Sequence, residues 1–153
     1  MVLKQAFEGR VSLVCVGNEL SGDDGLGKAL AEMVSGMGDC DFQVLFTATA
    51  PENFTDEIIG FKPEKAVLVD AGDFKGRPGE TREVDIGRLQ GMHVSTHRAP
   101  MKMFANRLRQ EGIEVRFIAV QVKQTGLGEP ISREVMESVG KLADEIYSIR
   151  EKN

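Results

Sequence analysis

The stretch VSLVCVGNELSGDDGLG, residues 11–27, decides the fold class of this 153-residue chain. Its first seven residues form a nearly continuous apolar run, which is typical of a strand buried on both faces of a parallel sheet. A short glycine-rich loop with two adjacent aspartates follows, and a helical apolar stripe begins at Leu26. A strand, a tight loop and a helix in this order indicate an α/β fold.

Strand-like and helical patterns alternate along the rest of the chain. Further strands are predicted over residues 42–48, 65–71, 80–85 and 114–122, and the run at 80–85 follows Pro78-Gly79 as an edge or hairpin strand would. Helical stripes are predicted at four places: Leu26, Leu30, Met33 and Met37; Ile58 and Ile59; Met101, Phe104, Ala105 and Leu108; Val135, Val139, Leu142, Ile146 and Ile149. The order predicts one domain over residues 1–153, an α/β three-layer sandwich with a twisted, largely parallel five-stranded sheet flanked by helices.

Composition and charge exclude several classes of partner. The hydrophobic content of 41% and the charged content of 28% are ordinary for a globular protein. The net charge of −5 disfavours nucleic acid and anionic membranes, which both attract a basic surface. No apolar run approaches the roughly 18 residues of a membrane span, and the charged N-terminus does not have the apolar core of a signal peptide. We therefore expect a cytoplasmic protein without membrane insertion, and a monomer, since no apolar stripe requires a dimer.

Polar residues near the ends of predicted strands mark the candidate site. Ligands of open parallel sheets bind beyond the carboxyl ends of the strands, and here Asp24 follows the first strand and Asp70 ends the third. His97 directly precedes the second strong helix. Other polar residues fall at the same ends: Asp23, Thr47, Thr49, Glu52, Asn53, Asp73, Gln121, Lys123 and Gln124.

The two aspartates of the first loop admit three interpretations. A phosphate loop is disfavoured because the Lys-Ser/Thr of a Walker sequence and the G-x-G-x-x-G spacing are both absent, and two carboxylates repel phosphate. A helix cap is favoured on this stretch alone, with Asp23 accepting the first free amides of the helix that includes Leu26. One aspartate suffices for a cap, which leaves Asp24 as a metal ligand or as a residue that faces solvent.

Asp70 and His97 each have a structural and a chemical interpretation. Asp70 ends an apolar run, where a carboxylate is costly to bury unless it is bonded to the backbone, paired or bound to a metal. His97 is either a surface or packing residue or a ligand. Together, Asp24, Asp70 and His97 supply two carboxylates and one imidazole with an open position, a set that suits Zn²⁺ or Ni²⁺ better than Cu(I). The residues alone thus predict an acidic metal-binding crevice without identifying the metal.

Four motifs in a fixed order resemble those of a known family. They are VGNELSGDDGLG (16–27), TAPEN (49–53), LVDAGDFKGRPGE (68–80) and STHRAP (95–100). The set resembles the hydrogenase maturation endopeptidases, and is nearest to those that process the large subunit of the formate-hydrogenlyase type of nickel–iron hydrogenase. The resemblance implies an endopeptidase that removes a C-terminal extension from the large-subunit precursor after nickel insertion. It further implies that the nickel is carried by the substrate and that the protease has no tightly bound cofactor of its own.

The resemblance also assigns roles to individual residues. The family's metal-contacting positions fall on Asp24, Asp70 and His97, which are therefore predicted as both metal ligands and catalytic residues. In this scheme they complete the coordination of the substrate's nickel, and Asp23, Asp24 or Asp70 is the candidate general base. A covalent acyl-enzyme is not expected, because Cys15 lies within a predicted strand as a core residue and no G-x-S-x-G sequence occurs.

One departure from the family pattern and several alternative functions stay open. Many relatives carry an Asp-Gly-Gly stretch where this chain reads Phe46-Thr47-Ala48, so the role of that aspartate has no counterpart unless Thr47, Thr49 or Glu52 replaces it. The same three ligands would also serve a non-catalytic nickel-binding checkpoint or chaperone for hydrogenase assembly. A small hydrolase with its own zinc and a nucleotide-binding module are further alternatives.

Overall fold

Among the residues that the structure describes, the sheet has five strands in one continuous path and a short sixth strand beside it. The computed structural model describes residues 3–88, 93–94 and 98–152. The strands are β1 (Val11–Cys15), β2 (Phe42–Phe46), β3 (Lys65–Asp73), β4 (Thr81–Val84), β5 (His93–Val94) and β6 (Glu114–Gln121). The helices are α1 (Leu3–Phe7), α2 (Leu26–Val34), α3 (Thr55–Phe61), α4 (Arg98–Gln110) and α5 (Arg133–Glu151). The path runs β2-β1-β3-β6-β4, and the two-residue β5 pairs with β3.

Most of the sheet is parallel, and its register positions the candidate site. β1 pairs in parallel with β2 and β3, and β3 pairs in parallel with β6. β4 is antiparallel to β6 and ends the path, which confirms the predicted edge strand. β1 pairs with β3 only as far as Cys15 and Val69, whereas β3 continues against β6 to Gly72 and Gln121. β3 therefore extends past the end of β1.

Helices cover both faces of the sheet, which confirms the predicted three-layer α/β sandwich. One apolar layer holds buried residues of α1, α2 and α5, and the other holds buried residues of α3 and α4. Because successive strand residues point to opposite faces, Val67 and Val69 of β3 belong to the first layer, and Ala66 and Leu68 belong to the second. By the same alternation, Asp70 faces the layer of α3 and α4.

The predicted helical stripes are confirmed except at two residues of the first stripe, Met33 and Met37, and Met37 lies in the 3₁₀ turn Ser35–Met37 past the end of α2. On α4 and α5 the predicted positions form the buried face: Met101, Phe104, Ala105, Leu108, Val135, Val139, Leu142 and Ile146. On α2 the placement of Met33 on this face is wrong, because its side chain is 44% exposed and Val34 is buried instead. Val34 follows Leu30 by one helical turn and therefore continues the stripe that Leu26 and Leu30 begin.

Three further findings bear on the sequence predictions. Cys15 is fully buried in β1, which confirms its place in the core, and burial raises the pKa of its thiol. Among the described residues, no helix has the length and apolar character that crossing a membrane requires. The short α1 has no counterpart among the predicted elements; it buries Leu3, Ala6 and Phe7 in the layer of α2 and α5.

Candidate active site at the ends of the strands

Asp70 is a fully buried carboxylate within the sheet. Its predicted place at the end of the third strand is wrong, because β3 continues to Asp73. The strand continues since β6 pairs with it as far as Gly72 and β5 pairs with Asp73. Asp70 follows Val69, the last partner of β1, and its Oδ1 accepts a 2.8 Å hydrogen bond from the N–H of Ala71. Asp70 therefore lies at the level where the loop after β1 begins.

Gly17 brings the loop after β1 against Asp70. Its φ is +153°, a conformation that side chains rarely adopt, and its N–H donates to the carbonyl of Ala48 after β2 at 2.9 Å. A Cβ at this position would lie 2.2 Å from the backbone oxygen of Asp24 and 3.7 Å from Oδ1 of Asp70. Asp24 and Asp70 thus border the same glycine. The structure brings these two predicted site residues together.

Asp24 lies in the 3₁₀ turn Gly22–Gly25, which leads directly into α2. Its backbone oxygen accepts from the N–H of Asn18 at 2.9 Å, and its own N–H donates to the carbonyl of Ser21 at 3.1 Å. These two bonds close the loop on itself, and the residue is half-buried. The loop holds Asp24 next to the N-terminus of α2, where the helix dipole favours a negative charge.

Asp23 does not cap α2, so the cap prediction is wrong. The N-cap position of α2 is Gly25, and no side-chain hydrogen bond caps the helix there. The Asp23 carboxylate is instead fully buried against the segment that follows β6. Its Oδ2 accepts from the N–H groups of Lys123 and Gln124 at 2.7 and 2.9 Å, and from Oγ of Ser132 at 3.1 Å. Its Oδ1 accepts from the N–H of Ser132 at 2.6 Å. Four donors of a distant segment thus replace the helix amides as partners.

Two polar residues that follow β6 secure this segment through their side chains. Nζ of Lys123 donates to Oε2 of Glu134 on α5 at 2.6 Å. This hydrogen bond from Lys123 is the main cause that lowers the pKa of Glu134 from its ordinary value of 4.5. Nε2 of Gln124 donates to the carbonyl of Pro130 at 2.8 Å. Lys123 therefore attaches this segment to α5, and Gln124 attaches the start of the segment to its end.

Ser132 is a neighbour of Asp23 that the sequence did not predict. Its hydroxyl donates to Asp23 and also accepts from the N–H of Val135 at 3.4 Å, which makes it the cap of α5. Asp23 and Ser132 are 109 residues apart, and no local motif joins them. A serine placed just before a helical stripe does predict a cap, but it does not predict this partner.

Gln121 and Asp73 hold the turn between β3 and β4. Oε1 of Gln121 accepts from the N–H groups of Phe74 and Gly76 at 2.9 and 3.0 Å. Nε2 of Gln121 donates to Oδ1 of Asp73 at 3.1 Å. The Gln121 side chain is 5% exposed, so its amide serves the structure of this turn.

The end of β2 contains the departure from the family motif. Thr47 is 2% exposed, and its Oγ1 lies 3.4 Å from the carbonyl oxygen of Cys15, to which it donates. Ala48 has a φ of +51°, a left-handed conformation that is unfavourable for a residue with a Cβ. Thr49 and Glu52 are exposed. Thr47 is therefore engaged with the sheet, and Thr49 and Glu52 are the two that a substrate can reach.

The third predicted ligand, His97, lies outside the described residues. It directly precedes α4, and the buried residues of α4 lie in the layer that Asp70 faces. Within residues 3–88, 93–94 and 98–152, no group of three His, Cys, Asp or Glu side chains is arranged to hold a metal ion. Asp24 and Asp70 supply two carboxylates, so a metal at this site would need His97 or ligands from the substrate.

Comparison with known proteins gives one consistent result. A model of the HycI family, described as hydrogenase maturation protease, matches residues 27–149. The hydrogenase 3 maturation protease of Escherichia coli K12 is 32% identical over 128 residues, which cover 83% of this chain and 82% of that protein. The crystal structure of the NiFe hydrogenase maturation protease HycI from Thermococcus kodakarensis KOD1 has a TM-score of 0.88 at 33% identity and covers 99% of both chains. The solution structure of the endopeptidase HycI from Escherichia coli has a TM-score of 0.79 at 28% identity, over 90% of this chain and 89% of that chain.

The matched residues include two of the three candidate site positions. Asp70 and His97 fall within residues 27–149, whereas Asp24 lies just before the first matched residue. The case for Asp24 therefore rests on the loop motif and on its position beside Gly17 and Asp70.

Proposed function

The chain belongs to the hydrogenase maturation protease family, and on this premise we propose that it removes the C-terminal extension of a nickel–iron hydrogenase large-subunit precursor after nickel insertion. The enzyme class is peptide hydrolase. The observation that carries the proposal is the approach of Asp24 and Asp70 to the same glycine, Gly17. This places two carboxylate residues at the carboxyl end of a largely parallel sheet, where such folds bind their ligands.

In this proposal the nickel ion is part of the substrate and serves as the recognition handle. Asp24, Asp70 and His97 complete its coordination, since carboxylate and imidazole groups are suitable ligands for Ni²⁺. The protease then needs no tightly bound cofactor of its own. Binding the ion at a fixed place also fixes the scissile peptide relative to the protein, and such positioning can supply a large part of the rate enhancement.

The hydrogen bonds of the acidic loop narrow the choice of a general base. Asp23 is unsuited, because it is fully buried and its two oxygens already accept four hydrogen bonds from the segment after β6. Asp24 and Asp70 remain the candidates, and a carboxylate that takes a proton from water supplies the kind of assistance that peptide hydrolysis requires. Nickel bound to the same carboxylates can additionally polarise the peptide carbonyl.

A thiol nucleophile does not fit this protein. The thiolate is the reactive form of cysteine, and the buried Cys15 thiol has a raised pKa that keeps it protonated. Cys40, the second cysteine, is exposed, but it lies two residues before β2, at the amino end of that strand, whereas the candidate site lies at the carboxyl ends of the strands. We therefore propose direct attack of water on the peptide rather than a covalent intermediate.

Intact-mass analysis of a large-subunit precursor incubated with this protein tests the proposal. The precursor should lose a single C-terminal peptide, and a precursor truncated at the new C-terminus should keep its mass. The Asp70→Asn variant is the matched control for a contaminating protease, because it differs in one buried group. The test is repeated with nickel-loaded large-subunit precursors from every available hydrogenase type. If all of them stay intact, the result contradicts endopeptidase activity and favours a non-catalytic checkpoint.

A further inference from the structure

The Asp23 carboxylate joins two segments that are far apart in the sequence. One segment is the acidic loop, residues 17–25, and the other is the segment that follows β6, residues 122–132, which we call the clamp segment. Four hydrogen bonds of 2.6 to 3.1 Å run from the clamp segment to this one carboxylate. The residue is fully buried, and a buried carboxylate is stable only when hydrogen bonds or charges compensate its lost hydration.

Backbone contacts join the same two segments on either side of Asp23. The N–H of Asp23 donates to the carbonyl of Gln124 at 2.8 Å, and the N–H of Gly128 donates to the carbonyl of Leu20 at 2.8 Å. Gly22 has a φ of +57°, and a Cβ there would lie 2.6 Å from the carbonyl oxygen of Gln124. The acidic loop therefore lies directly on the clamp segment, and its path follows the path of that segment.

We infer that Asp23 is a positioning residue that fixes Asp24 in the candidate site through the clamp segment. The inference rests on the proposed function, because it assumes that the place of Asp24 matters for processing. Asp24 is the next residue in the same 3₁₀ turn, and its backbone bonds to Asn18 and Ser21 lie entirely within the acidic loop. The acidic loop is therefore closed on itself, and the four hydrogen bonds of the Asp23 side chain attach it to the clamp segment.

The pattern of donors explains why this position requires an aspartate. Both oxygens of Asp23 face N–H or O–H donors, so two acceptor atoms are needed. An asparagine has one acceptor oxygen and one NH₂ group. In either orientation its NH₂ group would face a backbone N–H, of Ser132 or of Lys123 and Gln124. Replacement by asparagine thus removes at least one of the four hydrogen bonds and sets two donors against each other, while it leaves the side-chain volume nearly unchanged.

Single-turnover processing of a nickel-loaded precursor by Asp23→Asn tests the inference. We expect the rate to fall by about 100-fold, because a displacement of catalytic groups on the order of 1 Å has that effect. The matched control is Ile146→Ala, which loses core packing on α5 and keeps all four hydrogen-bond donors of Asp23. Both variants are measured at a temperature where circular dichroism shows them folded, so that lost stability alone leaves the rate unchanged. If Asp23→Asn processes the precursor as fast as Ile146→Ala, the inference is wrong.

Ser132→Ala covers the case in which Asp23→Asn does not fold. This variant removes one of the four donors and keeps the backbone N–H to Oδ1. We expect its processing rate to fall in the same direction by a smaller factor, and a wild-type rate would overturn the inference.

Amide hydrogen exchange separates a failure of this inference from a failure of the proposed function. In Asp23→Asn, the amides of Asp24, Lys123 and Gln124 should exchange faster by about tenfold or more, while the amides of β3 keep their protection. Unchanged exchange in the acidic loop contradicts the inference even if wild-type protein processes the precursor. Intact precursor with wild-type protein contradicts the proposed function, and faster exchange in the variant then still supports the role of Asp23 in placing the loop.

Discussion

Oδ1 of Asp23 accepts a 2.6 Å hydrogen bond from the N–H of Ser132, which lies 109 residues further along the chain. This contact connects the two loops at the ends of β1 and β6, and it makes the first aspartate of the acidic loop a structural residue. The second aspartate, Asp24, is half-buried in the same 3₁₀ turn and stays the predicted site residue of the pair. Two adjacent carboxylates therefore differ in burial and in hydrogen-bond partners, and we propose different roles for them.

Asp23→Asn should lower the free energy of unfolding by on the order of 2–3 kcal/mol, because at least one buried donor loses its acceptor. A helix cap would behave differently, since asparagine and aspartate cap helices about equally well. Urea denaturation followed by circular dichroism measures the difference. The control is Asp56→Asn in the first turn of α3, an exposed carboxylate whose loss should cost less than about 1 kcal/mol. Equal costs for the two variants would contradict the assignment of Asp23.

Gly17→Ala should lower the free energy of unfolding by about 3 kcal/mol and abolish processing. The added Cβ would lie 2.2 Å from the backbone oxygen of Asp24, and the φ of +153° is unfavourable for alanine. The control is Gly140→Ala within α5, where no atom beyond the adjoining residues and the nearby backbone of the same helix lies within 4 Å of the added Cβ. This second variant should gain about 0.5–1 kcal/mol from helix propensity. If thermal unfolding shows Gly17→Ala to be more stable than Gly140→Ala, the close approach of the Asp24 backbone oxygen to Gly17 is wrong.

Asp70→Asn should keep the fold and slow processing by about 100-fold or more. Asparagine has nearly the same shape, and its side-chain oxygen can still accept from the N–H of Ala71. The control Asp144→Asn changes an exposed carboxylate on α5 and should process normally. His97→Ala, which concerns a residue predicted from the sequence alone, should likewise lose processing and keep its circular dichroism spectrum. Normal processing by both Asp70→Asn and His97→Ala would contradict the proposal that Asp70 and His97 bind the nickel of the substrate.

Alkylation with iodoacetamide should modify Cys40 alone in the native protein. Cys15 is fully buried and its thiol has a raised pKa, whereas Cys40 is exposed. Intact mass should therefore show one adduct on the native chain and two after denaturation, and the singly modified protein should process precursor at the normal rate. Loss of activity on modification of Cys15 would support a thiol nucleophile and contradict the direct attack of water.

The Lys123–Glu134 pair should make a contribution to stability that disappears in acid. The pKa of Glu134 lies below its ordinary value of 4.5 in the folded protein, mainly because Lys123 donates a hydrogen bond to it. A lowered folded pKa stabilises the folded state above the ordinary pKa, and this contribution is lost as the pH falls through the folded pKa. The melting temperatures of wild type and Glu134→Gln should therefore differ at about pH 6 and converge as the pH falls through the lowered pKa of Glu134. A difference that grows in acid would contradict this assignment.

The sequence predicted the layers and strands of this fold well, because apolar periodicity is a local property. It misplaced the end of β3, since the extra residues to Asp73 are stabilised by pairing with β5 and β6, which no local pattern reports. It missed α1, a helix of five residues that is too short for a clear period. Met33 was misplaced because two alternative spacings, three and four residues, both continue a helical stripe.

The candidate site was predictable only in part. The approach of Asp24 and Asp70 follows from the rule that polar residues at the ends of parallel strands converge. The role of Asp23 was not predictable, because a cap and a long-range contact have the same local sequence. Only the packing of residues 122–132 against the acidic loop distinguishes the two.

The measurement that tests the central claim most directly is cleavage of one large-subunit precursor prepared with and without nickel. Both forms are incubated with this protein under identical conditions and read by intact mass. We predict that only the nickel-loaded form loses its C-terminal peptide, because in the proposed function the ion is the handle that Asp24, Asp70 and His97 bind. Equal cleavage of both forms would contradict recognition through nickel, and cleavage of neither would contradict the endopeptidase for that precursor.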